Sequence, residues 1–305
     1  MRESERGQST VEWVALLALV ALLLVALLAA GVRVPGLELA RLLGARILCA
    51  ASLADGCGDQ PRLIAAYGSE VAELVRKKMP AIGLERGSRA LPADFRRCRA
   101  SECSDGSERG LVHRSDAGLP VTAFVHVVDC RSGHETEGAD CSGSRAGNLY
   151  LQYWLYYADS GATLRGVPIA GEKGYHRDDW ESVHLRIGPD GEVAQRASSH
   201  HGYNHGGGAV NWGSDAGIDS LNEMAQVVGA RERGGWGPET GLLLVSGGSH
   251  AGSVSGWPDI DRLIWGRQVH LIPLEPIGAE TSARVAVTPP WQKRVWLDPE
   301  AEGTN

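Results

Sequence analysis

The stretch from Asp178 to Ile187, DDWESVHLRI, constrains the fold more than any other part of the chain. A β-strand sends successive side chains to opposite faces. Threaded as a strand, these residues place Asp179 and Glu181 on one face with Val183, Leu185 and Ile187, and Trp180, Ser182, His184 and Arg186 on the other. Val183, Leu185 and Ile187 read as a core-facing row, so the two carboxylates enter the same interior at its rim. Neighbouring carboxylates in a partly dry place repel and lose hydration, and they need a cation, an arginine or a shared proton. His176, just upstream, can supply a nitrogen. Asp, Glu and His without a cysteine form a hard, oxygen-rich donor set that suits Mg²⁺, Ca²⁺ or Mn²⁺ better than a structural zinc. The plainer alternative is a strand start with solvated charges and an Asp179–Arg177 surface pair.

Composition narrows the class. With 22% charged residues and a formal net charge of -7, the chain has no global basic field, and nucleic acid is not an expected partner. Forty glycines with only two phenylalanines fit many short strands joined by turns. The six cysteines fall into near pairs, Cys49 with Cys57, Cys98 with Cys103, and Cys130 with Cys141. An even count in local pairs, beyond an apolar N-terminal segment, points to disulfides in an oxidising compartment. Spacing does not fix which cysteines join.

Residues 11–30 are apolar except for Glu12. At ~1.5 Å rise per residue, such a helix covers ~30 Å, the hydrocarbon thickness of a bilayer. Arg2 and Arg6 precede it, which predicts a single-pass cytoplasmic-membrane anchor with the bulk of the chain exported. A cleaved secretory signal is the rival, with a weak cut site at Leu28–Gly31. The residues before the span, Arg6-Gly7-Gln8-Ser9-Thr10-Val11-Glu12, resemble the processing site of type IV pilin-like proteins, tight-adherence pseudopilins above all. That resemblance implies cleavage after Gly7, with Glu12 inside the membrane pairing with a neighbouring pilin-like subunit.

Residues 31–118 read as a cysteine-bearing connector. It contains one helix over 60–80, in which Ile64, Tyr67, Val71 and Leu74 recur at helical spacing and Pro80 and Gly83 end the pattern. From 119 the pattern changes to strands, with β-branched 121–128, aromatic 149–157, the central strand 178–187, the return 193–199, then 242–246 and 263–274. A further helix is expected near 215–230, and the tail after Ala286 is expected to close or cover the sheet. The predicted fold is mainly β: an antiparallel β-sandwich over 119–305 with a few peripheral helices, preceded by a pilin-like leader and one N-terminal transmembrane helix within 1–30.

Polar groups gather at several strand ends and loops: Asp159, Ser198-Ser-His-His-Gly-Tyr203, and Gly248-Ser-His-Ala251. Loops on a rigid scaffold are where sites usually form. Together, YWLYYADS, GYHRDDWES and SSHHGY resemble the core of the necrosis- and ethylene-inducing peptide-like proteins, whose hallmark is GHRHDWE. The order also resembles a vacuolar-sorting-associated family with an HxGDWE motif and a later GSHA. The first resemblance implies a β-sandwich and a metal held by Asp159, His176, Asp179 and Glu181, with His201 nearby. Two positions depart from the hallmark: Tyr175 replaces its first glycine and Asp178 its second histidine. The extra acid, Asp178, is a candidate ligand-binding residue.

Three functions follow as expectations. The first is an anchored extracytoplasmic module that binds a divalent cation and, through it, an anionic lipid or glycan head group. The second is a metal-dependent hydrolase with His201 or His250 as general base. The third is a minor pilin-like filament subunit resting on Gly7 and Glu12.

Overall fold

The computed structural model describes residues 60–85, 90–96, 120–161, 163–164, 167–168, 175–199, 202–204, 235–245, 250–254, 260–275 and 287–301. The expected span 11–30, Gly7, Glu12, Cys49, Cys57, Cys98, Cys103, His201 and the expected helix 215–230 lie outside these residues. No helix among the described residues is long and apolar enough to cross a membrane.

The molecule is mainly β, with two principal sheets and one α-helix among the described residues. The larger sheet is built on β2 (Thr122–Asp129), β3 (Leu149–Gly161), β6 (Tyr175–Ile187), β7 (Val193–Ser199), β8 (Gly202–Asn204) and β13 (His270–Pro273), in the order β13-β2-β3-β6-β7-β8. Its seventh strand, β9 (Gly237–Pro238), pairs with β7, and β4 (Thr163–Leu164) and β5 (Val167–Pro168) form a separate ribbon. The smaller sheet runs β11 (Gly252–Ser253), β10 (Leu242–Val245), β1 (Ala81–Glu85), β12 (Ile260–Ile264).

The spine is the β3–β6 pair. These strands run antiparallel from Leu149 opposite Ile187 to Gly161 opposite Tyr175. β-branched and aromatic side chains suit such a pleated, half-buried surface. One face meets the smaller sheet and the helix: Tyr153, Leu155, Val183 and Leu185 share a core with Ile82 and Leu243. The opposite face carries Phe124, Trp154, Tyr156 and Trp180 in a second, aromatic cluster. The alternation along Asp178–Ile187 is thus the one read from the sequence.

Two expectations change. The sheets are mixed, because β1 runs parallel to β10 and β13 parallel to β2. Parallel neighbours need a long crossover and leave no local turn signal. Part of the expected connector packs into the main core and the smaller sheet. The helix α1 (Gln60–Lys78) buries Leu63, Val71 and Val75 in the main core, and β1 sits centrally in the smaller sheet. Tyr153 Oη donates to Val75 O at 2.7 Å and Tyr67 Oη to Val125 O at 2.6 Å, which ties α1 to the larger sheet. A break in α1 falls at Gly68, whose φ of 76° favours glycine.

The tail covers the aromatic face with 3₁₀ turns at Pro290–Gln292 and Arg294–Trp296, as a covering segment and not as a strand. Gln152 Nε2 donates to Val295 O at 2.8 Å, and His126 stacks on Trp296 at 3.4 Å. Arg196, fully buried, lies against the rings of Tyr203 and Trp236 at 4.0 and 4.4 Å and donates to Pro299 O. Glu300 accepts from Tyr150 Oη, Arg186 and Trp236 Nε1. Cys130 and Cys141 form a disulfide, as their near spacing suggested.

Candidate functional site

The two acids of β6 come together on its inward face. Asp179 lies opposite Tyr157 and Glu181 opposite Leu155, so the β3–β6 register sets both at one end of the main core. Glu181 Oε2 accepts from Ser198 Oγ at 2.5 Å, and Ser198 Oγ in turn accepts from the Ser182 backbone N–H. Asp179 Oδ2 contacts His250 Nδ1 at 2.9 Å. These bonds occupy one oxygen of each carboxylate.

Burial dominates the electrostatics. It pushes the Glu181 carboxyl well above the ordinary range, and the Asp179 charge pushes it further, while the Ser198 bond and Lys293 pull it back. The Lys293 ammonium is shifted down by burial, with Glu181 and Asp179 opposing that shift. The Tyr157 hydroxyl is raised by burial and then by the charges of Glu181 and Asp179. Glu181 therefore sits where negative charge is expensive.

His250 is the residue that most closely joins this pair. It is 1% exposed and adopts φ 56°, an uncommon backbone state for a non-glycine residue. Its ring stacks on Tyr157 with centroids 3.9 Å apart and planes 7° from parallel. With Nδ1 on Asp179, Nε2 is buried and has no hydrogen-bond partner among the described residues.

The other expected site residues divide. Asp159 is fully buried on β3, opposite Arg177 and two residues beyond Tyr157, which puts it on the Asp179 side by strand alternation. The backbone of His176 lies opposite Ser160, and its side chain is outside the described residues, as is the whole of His201. Asp178 is not brought to the pair. It adopts φ 59° and accepts from Tyr156 Oη at 2.6 Å in the cluster on the opposite face. Sequence reading missed Ser198 as a partner of Glu181 and missed Lys293 altogether. Ser198 was legible only as part of the SSHHGY loop motif, and Lys293 lies more than a hundred residues away with no local signal.

Among the described residues, no three of His, Cys, Asp and Glu converge as a metal cage. The donor chemistry is of the oxygen-rich kind that takes a hard cation: two acids two residues apart on one buried strand face, each with one oxygen not used by the bonds above. A cleft of about 700 Å³ near Arg62, Phe95 and Arg96 does not include these residues. It follows the gap between α1 and the edge of the aromatic cluster.

No family model matches the sequence, and no curated protein matches it. Several solved structures do match. One is described as a toxin fold for microbial attack and plant defense, with 19% identity, a TM-score of 0.24, and coverage of 44% of this chain and 53% of that one. Another is NLPPya in complex with mannosamine, with 15% identity, a TM-score of 0.23, and coverage of 42% and 50%. NLPPya in complex with glucosamine matches with 20% identity, a TM-score of 0.24, and coverage of 44% and 51%. The chain spans about half the length of these structures. The molecule is a β-rich protein with a buried carboxylate–histidine cluster at one end of its central strand pair.

Proposed function

We propose that the protein is an anchored extracytoplasmic module that binds a divalent cation and, through it, an anionic or sugar head group. The observation that carries this reading is the placement of Asp179 and Glu181 side by side on the buried face of β6. Two acids in such a place are eased by a cation or a shared proton, and Lys293 contributes one positive charge toward them. Asp179 and Glu181 would hold the ion, with Asp159 and His176 added by the motif resemblance. The ion would bridge protein carboxylates to oxygens of the ligand. The ligand class rests on the motif resemblance, and the anchor on residues 11–30.

The test is to recover the full chain from membranes in detergent and dialyse it against Ca²⁺, Mg²⁺ or Mn²⁺. About one ion per chain should be retained by wild type and lost in Asp179→Asn/Glu181→Gln. Equal ion content in both would remove the site, and recovery from the soluble fraction without detergent would remove the anchor.

The Asp179–His250 pair favours a second reading, a metal-dependent hydrolase. A carboxylate that fixes the imidazole tautomer leaves Nε2 to take a proton from water. Chelator-sensitive release of product from phosphate or acyl esters would select this reading over simple binding.

A further inference from the structure

One row of polar side chains crosses the tail-covered face of the larger sheet. His126 on β2 lies opposite Gln152 on β3, Gln152 opposite His184 on β6, and His184 opposite Arg196 on β7. All four are buried. The tail roofs the row: Trp296 stacks on His126 at 3.4 Å, Val295 O accepts from Gln152 Nε2, and Pro299 O and Ala301 O accept from Arg196 Nη2. Charge is costly in such a dry row, and Arg196 already brings one positive charge. The groups acting on Arg196 are Glu300 from the tail, Tyr203 from β8, Tyr150 from β3 and Arg186 from β6. Glu300 is the acid among them, and it is already bonded to Tyr150, Arg186 and Trp236. His184 faces Trp154 and Tyr203, and both its ring nitrogens are buried with no hydrogen-bond partner among the described residues. His126 meets Gln152 through Nδ1. A proton on either ring therefore joins Arg196 and a second histidine, with no carboxylate bonded to either ring among the described residues.

We propose that this row is an acid-sensitive latch: protonation of His126 and His184 lifts residues 290–301 off the sheet while the β3–β6 spine stays folded. The latch is independent of the cation reading, because it lies on the face opposite Asp179 and Glu181. Burial holds His126 down at about 4 and His184 well below the usual value, whereas a freed ring titrates at about 6.5. The covered state thus binds fewer protons than the released state. Its stability is complete above about pH 6.5 and is lost as pH falls toward the folded values. Release bares the aromatic cluster that Val295 and Trp296 share with Phe124, Trp154 and Trp180.

The test is hydrogen exchange of the full chain in detergent from about pH 7 to about pH 4.5, read by mass spectrometry and corrected for the intrinsic rate at each pH. In wild type, residues 290–301 should lose protection by roughly tenfold per pH unit for each histidine that takes up a proton, while 149–157 stays protected. Constant protection of 290–301 over this range overturns the latch. So does simultaneous loss in both segments, which is unfolding of the whole sheet; neither result depends on a variant. His126→Gln/His184→Gln should keep 290–301 protected through the same range. Release in that variant at the wild-type pH also overturns the latch and assigns the transition to Asp298 and Glu300, the tail acids held by Arg145 and Arg186.

Discussion

Two histidines away from the carboxylates are buried as neutral rings. His126 stacks on Trp296 and its Nδ1 meets Gln152 Oε1 at 3.2 Å; burial lowers its pKa from 6.5 to about 4, with the Gln152 bond opposing. His184 is lowered well below the usual value by burial, then by Arg196 and His126. A ring with a folded pKa below its unfolded pKa binds fewer protons in the native state as the solution acidifies. Its contribution to stability is therefore complete above the unfolded value of about 6.5 and is lost as pH falls toward the folded value. Urea unfolding at pH 7, 6 and 5 should show stability dropping by roughly 1 kcal/mol per pH unit for each such histidine. His126→Gln should flatten that slope, and an unchanged slope would show that this ring is not held neutral.

At the level of elements, the packing of β11 against β7 supports the site. A Cβ placed on Gly252 would lie 3.0 Å from Ala197 Cβ and 3.1 Å from the Ser198 carbonyl oxygen. Ser198 is the residue whose hydroxyl holds Glu181, so its backbone cannot yield without moving that bond. Gly252→Ala should destabilise the fold by about 1–3 kcal/mol, the usual cost of overpacking, seen as a lower melting temperature. A variant that melts with wild type would mean that β11 is free to shift. The same elements show how far the sequence could be read. The faces of β6 were legible because a period of two is local, and α1 because its apolar spacing is local too. The partners of those faces were not. β1 and β10 meet across more than 150 residues, and His250 reaches Asp179 across 71, so nothing near either segment signals the contact. Asp178 is placed by its own backbone and neighbour. It matches a motif position, yet its left-handed backbone and the Tyr156 hydroxyl claim it for the other face.

At the scale of the molecule, the two sheets and α1 enclose one core, the tail seals the aromatic face, and the carboxylates lie at the end of the central pair. The central claim is that a cation completes this end of the molecule. An ion that binds only the folded chain stabilises it by ~2.7 kcal/mol at a hundredfold excess over Kd, which for a domain of this size amounts to roughly 5–10 °C in Tm. The most direct measurement is the melting temperature of the full chain in detergent with added Mn²⁺ and with chelator, for wild type, Asp179→Asn and Asp190→Asn. Asp190 lies exposed in the turn between β6 and β7. The account predicts a shift of that size for wild type and Asp190→Asn, and none for Asp179→Asn. Equal responses in wild type and Asp179→Asn would contradict it, and the motif would then be no more than the start of a strand.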